Sequence, residues 1–169
     1  MNAAIWLGGA FFFTFGAGPA IFSDSMQALL GANNFPYFSG AIAGIILKRY
    51  FYFHLICNIL ALLHLFAERL YLGRTSSKSS LGLLIGMLTL IIIGGGFMQP
   101  RLRQLHNRAH AVNAQPVVKE AAKRSFKVWH VVAEVVNLLV IGGVMVYVWR
   151  VNNPADTTRF VSPFQKFGG

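Results

Sequence analysis

Hydrophobic residues in this chain neither alternate nor recur as a one-sided stripe. They form four nearly continuous runs, at about Ala3 to Phe22, Tyr50 to Leu72, Leu81 to Met98 and Val128 to Trp149. Each is close to the roughly 20 helical residues that cross a hydrocarbon core. Lipid-facing strands would alternate apolar and polar positions, so continuous runs argue for helices. The pattern predicts an all-α fold: a four-helix transmembrane bundle over residues 1–150, followed by a polar, aromatic-bearing tail over 151–169.

The polar stretches between the runs differ in kind. Ser23 to Lys48 is long and holds Asn33, Asn34 and Pro36, and its end, "SGAIAGIILKRY", reads as a helix entering the second span. "GRTSSKSS", Gly73 to Ser80, reads as a short polar hairpin loop. Pro100 to Lys127 reads as a basic, partly helical connection between helices 3 and 4, interrupted near Pro116. Pro19 should bend or end the first helix, because proline removes an intrahelical hydrogen bond and crowds the preceding turn. That first run lacks the basic n-region of a signal peptide and reads as a retained helix. "GAIAG" (Gly40 to Gly44), "GLLIG" (Gly82 to Gly86) and the triplet Gly94 to Gly96 have the small-residue spacing that lets helices pack closely.

Composition agrees. Of 169 residues, 55% are hydrophobic and 12% charged, about half the charged share of a soluble domain. The net charge of +10 would suggest nucleic acid in a soluble protein. Here the basic residues sit between apolar runs, so membrane lipids are the expected partner and nucleic acid is not. The first and third connections hold nine Lys and Arg, against six in the termini and second loop. The positive-inside rule then puts both termini outside a bacterial-type inner membrane. The single cysteine, Cys57, reads as an inert small hydrophobe.

Polar groups inside apolar runs carry the candidate chemistry. His54 lies five residues past Arg49, about 7 Å deeper, and His130 lies three past Lys127, about 4–5 Å deeper. The two histidines are therefore expected at similar depth near one face. Asn58 follows His54 by four residues; Glu134 and Asn137 follow His130 by four and seven, on one helix side. Arg101, closing the third run, should come near. The expected site is His54, Asn58, Arg101, His130, Glu134 and Asn137, with Glu134 facing the bundle. It reads as a hydrogen-bonded network tying the helices, as a binding or relay site for an ion, proton or small ligand, or as a bis-histidine haem or metal centre using His54 and His130. His64 and Glu68 read as an interfacial pair, and His106 and His110 as surface residues. Phe160, Phe164 and Phe167 in the tail are candidate anchors for a protein partner.

"FFFTFGAGPAIF", "YFYFH", "MQPRLRQL" and "FKVWHVVAEVVNLL", in this order, resemble the transmembrane protein 205-like family, four-span proteins classed as a domain of unknown function. The resemblance runs from about Leu7 to Leu139. It implies an integral membrane bundle and carries over His54, Pro100, Arg101, His130 and Asn137 as the family's polar positions. It invites transport or metal handling and implies no settled activity. The chain departs from the pattern at "GANNFPYF", in the tail, and at Glu134.

No nucleotide loop, nucleophile–base constellation or hydrolytic carboxylate pair is present in the sequence, so an enzyme is not expected. The expected function is transport-associated or ligand binding through the polar site between helices 2 and 4. The alternatives are a structural accessory subunit of a larger membrane complex and a haem- or metal-binding subunit.

Overall fold

The computed structural model describes residues 1–72 and 78–153. Phe160, Phe164 and Phe167 lie outside the described residues, as does most of the tail. The chain forms α1 (Asn2–Phe11), a π-helical turn (Phe12–Ala17), α2 (Gly18–Ile21), α3 (Asp24–Leu30), α4 (Phe35–Leu72), α5 (Lys78–Ile93), a second π-helical turn (Gly94–Met98), α6 (Gln99–Ala109) and α7 (Pro116–Asn152). Two sets run on without a break, giving four helices long and apolar enough to span a membrane: Asn2–Ile21, Phe35–Tyr71, Lys78–Ala109 and Pro116–Asn152. The fold is the expected all-α bundle, a multi-pass membrane protein.

Local chemistry explains the boundaries. Ser23 caps α3, its hydroxyl accepting from the Met26 N–H, and Gly31, at φ +76°, ends it. This short helix was not expected from the sequence. Pro116 opens α7 at its first position, where a missing N–H costs nothing. Lys78 to Ser80, expected in the loop, already belong to α5.

The two π-helical turns share a cause. Each ends two residues before a proline, Pro19 or Pro100. A proline crowds the carbonyl four residues back, here that of Phe15 or Gly96, and both lie inside the wide turns. Gly18 N–H reaches Phe13 O, and Gln99 N–H reaches Gly94 O, five residues back in each case. Widening the turn moves the crowded carbonyl aside, and the helix continues. The first helix therefore runs on past Pro19 to Ile21, and the third past Met98 to Ala109.

Side-chain contacts set the register. Asn2 donates to Cys57 O (2.9 Å) and Thr14 meets Tyr50 (3.3 Å), so the first helix runs antiparallel to α4. Trp6 packs against Tyr147 and Asn137 bonds Thr14, so α7 is antiparallel to the first helix and parallel to α4. The start of α1 and the end of α7 thus share one end of the bundle. The core is one cluster, with Trp6, Cys57, Ala61, Leu84, Met87, Ile91, Val140 and Val144 all buried. Gly94 and Gly95 admit Phe51, and Gly143 admits Met87. Around the core the surface is apolar: Phe12, Phe15, Ile56, Leu63, Phe66 and Ile92 are each more than half exposed, as a lipid-facing exterior requires. At 38 residues, α4 is about 57 Å long. It overhangs the 20-residue first helix; α6 packs beside its first turns, and α7 packs in turn against α6.

Candidate functional site

The polar groups separate into two layers and an outer pair. In the first layer Tyr50 of α4 donates its hydroxyl to Asn137 Oδ1 (2.8 Å), and Asn137 Nδ2 donates to Thr14 Oγ1 (3.0 Å). With those donors assigned, the Thr14 hydroxyl donates to Tyr50 (3.3 Å). The ring is closed and joins three helices, and each hydroxyl both donates and accepts. The π-helical turn carries Thr14.

One helical turn along α4, the Trp6 indole N–H donates to His54 Nδ1 (2.7 Å). Indole nitrogen only donates, so Nδ1 is the acceptor and the imidazole proton sits on Nε2. The ring stands edge-on to Tyr50 at 4.3 Å between centroids. A further turn on, Asn58 donates from Nδ2 to Leu84 O (3.1 Å). His54 is 2% exposed and Asn58 fully buried. Two buried atoms of this layer have no partner among the described residues: His54 Nε2, a donor, and Asn58 Oδ1, an acceptor; the third such atom, Arg150 Nη1, lies near the end of α7. Each unmatched group costs about 1–3 kcal/mol. Residues four apart on a helix are neighbours on one side, about 5–6 Å apart at Cβ; here the two atoms do not bond each other, and one bridging group could serve both.

His130 and Glu134 do not join this site. They pair with each other (3.1 Å), with side chains 51% and 60% exposed. Glu134 therefore points away from the bundle interior, contrary to expectation, and Arg101 is exposed on α6. The expectation of equal depth for His54 and His130 also fails. Asn137 stands level with Tyr50, which is four residues before His54, while His130 is seven before Asn137. On parallel helices that is an axial offset of about 16 Å, so the two histidines do not form a bis-histidine pair. The α4 and α7 helices begin at different heights, so an offset from the nearest basic residue does not measure depth. Among the described residues, no group of three or more His, Cys, Asp or Glu could hold a metal ion.

The ion pairs among the described residues are His64–Glu68, Glu120–Lys123 and His130–Glu134, each within one helix. The first is the expected His64–Glu68 pairing, with both side chains exposed. His106 corrects the surface reading. It is 8% exposed, its Nε2 lies 3.0 Å from Tyr37 O, and a Cβ at Gly40 would overlap its ring. The signal was present: Leu102, Leu105, His106 and Ala109 form the buried stripe of α6 at helical spacing. Trp6, Thr14 and Tyr50 were missed as well. Tyr50, His54 and Asn58 recur every four residues, a ladder visible in the sequence. Nothing in the sequence assigns Trp6 to it.

No curated protein and no solved structure matches the chain. Residues 1–111 match the family described as "Domain of unknown function (DUF4149)". That stretch holds Trp6, Thr14, Tyr50, His54 and Asn58 and excludes His130, Glu134 and Asn137. The chain, a four-helix membrane bundle with its buried polar ladder inside the matched region, belongs to this family.

Proposed function

We propose that this protein is a non-enzymatic, ligand-binding or transport-associated protein of a bacterial-type inner membrane, akin to the transmembrane protein 205-like proteins, with both termini outside. Its ligand is an uncharged molecule carrying an acceptor beside a donor, such as an amide, a carboxylic acid or an alcohol. The acceptor takes the His54 Nε2–H, and the donor serves Asn58 Oδ1.

The observation that carries this reading is the complementary pair of unmatched atoms one turn apart on α4, both buried. A purely structural network would pair them, as the neighbouring Tyr50–Asn137–Thr14 ring does. Full charge is disfavoured there, because neither side chain offers a counter-ion and an unpaired ion in an apolar interior is costly.

The test is a thermal-shift series on detergent-purified protein with acetamide, acetic acid, ethanol, sodium and ammonium. A neutral donor–acceptor probe should raise the melting temperature by mass action, and His54→Phe and Asn58→Leu should each abolish that rise. A series with no rise in the native protein, or equal rises in both variants, overturns the proposal.

A further inference from the structure

A second feature lies between α4 and the continuous α5–α6 helix and does not rest on the His54 reading. A groove of about 690 Å³ runs between α4 and the continuous α5–α6 helix. One wall is a single helical face, with positions about four apart: Ile92, Gly96, Gln99, Arg103 and Asn107. Its character changes along its length, from aliphatic, through a bare glycine, to amide and guanidinium. The facing wall on α4 repeats the gradient in the same direction, from Leu55 through Phe51 and Tyr52 to Lys48. Contacts between the walls fix that direction: Gly94 and Gly95 meet Phe51, and Gln99 donates to Gly44 O one turn further on. The apolar end therefore lies at the depth of the core, and the cationic end faces the basic connection.

The second π-helical turn forms the groove's floor. Gly95 lets Phe51 lie flat against it, while a Cβ at Gly96 would meet nothing within 4 Å, so the space above Gly96 is open. Lys48 Nζ lies over the Tyr52 ring, 5.8 Å from the centroid, a cation–π contact that holds the ammonium at the groove. Two cations at one end, no acidic residue in the lining and an apolar channel at the other end are complementary to one amphiphile.

We infer that the groove between α4 and α5–α6 is a binding site for an anionic glycerophospholipid, its phosphate between Lys48 and Arg103 and an acyl chain along Phe51, Leu55 and Ile92. The charge complementarity favours a lipid of the surrounding leaflet over a second copy of this chain, which is strongly basic and would bring like charge to Lys48 and Arg103.

Native mass spectrometry of detergent-purified protein tests this, with phosphatidylglycerol and phosphatidylcholine of identical acyl chains as probes. Native protein should retain phosphatidylglycerol with a roughly 10–30-fold preference, the increment expected of two basic residues at a membrane surface. Lys48→Gln with Arg103→Gln should bring the two lipids to near parity. Arg124→Gln with Lys127→Gln, exposed on α7 away from the groove, should keep the preference. Gly96→Phe should reduce retention of both lipids by filling the channel. Glycerol phosphate in excess should not displace the lipid, because it lacks the chain. Equal retention of the two lipids by native protein overturns the inference without any variant having to fold. So does loss of preference in the α7 control, displacement by glycerol phosphate, or a dimer that Gly96→Phe dissociates.

Discussion

His54 with Asn58, and His130 with Glu134, are the same pattern in sequence: a histidine followed four residues later by a polar partner on a long apolar helix. In the structure they are opposites. The α4 pair is buried and its members do not bond each other; His54 takes its donor from Trp6 on α1, and Asn58 spends its amide on α5. The α7 pair is exposed and satisfied within its own helix. Four-residue spacing thus places two groups on one helix side and leaves open which way that side faces. Where it faces other helices, the groups act between elements. Where it faces outward, nothing else is near enough to compete for them, and they pair locally.

The contrast is sharpest at Trp6, which is fully buried and supplies the donor for His54. Trp6→Ala should cost about 3–5 kcal/mol, and Trp6→Phe about 1–3 kcal/mol, because it leaves His54 Nδ1 buried without a donor. Reversible unfolding in mixed micelles measures both. A Trp6→Phe variant as stable as the native protein would mean that the buried hydrogen bond adds nothing, and the two histidine regions would then differ in position alone.

Glycines extend the comparison to packing. A Cβ at Gly40 would overlap the His106 ring, whereas one at Gly82 would meet nothing within 4 Å. Gly40→Ala should therefore destabilise by about 1–3 kcal/mol through overpacking. Gly82→Ala should be neutral or stabilise by up to about 1 kcal/mol, since alanine loses less conformational freedom on entering a helix. The same unfolding assay reads both, and equal effects at the two positions would contradict the described packing.

The smallest effect is expected at the outer pair. Glu134→Gln and His130→Gln should each change stability by no more than about 0.5 kcal/mol, the usual yield of an exposed ion pair. Loss of more than about 2 kcal/mol at Glu134, a size reserved for buried or networked groups, would place it inside the bundle after all.

The number of helices, their approximate limits and the all-α fold were legible in the sequence. Run length is tied directly to the thickness of the hydrocarbon core, and the continuous runs left no room for strands. The interruption near Pro116 and the helical entry to the second span follow from residue chemistry that acts locally. The buried stripe of α6 was legible too, because that helix is amphipathic and its periodicity reports its facing.

Only the tertiary structure decided which side of each membrane helix turns inward and how far the helices slide along one another. In water an apolar face identifies the core. In a bilayer the outside is as apolar as the inside, so the periodicity that would reveal facing disappears. Each residue turns the side chain by about 100°, and the sequence holds no marker for the starting angle. Facing was decided instead by contacts far apart in the chain: Trp6 with His54, Thr14 with Asn137, and Gly40 with His106. Those contacts also set the slide that leaves His54 and His130 about 16 Å apart in depth. They separated a pair that looked like one site and gave His54 a partner that nothing in its own helix announces.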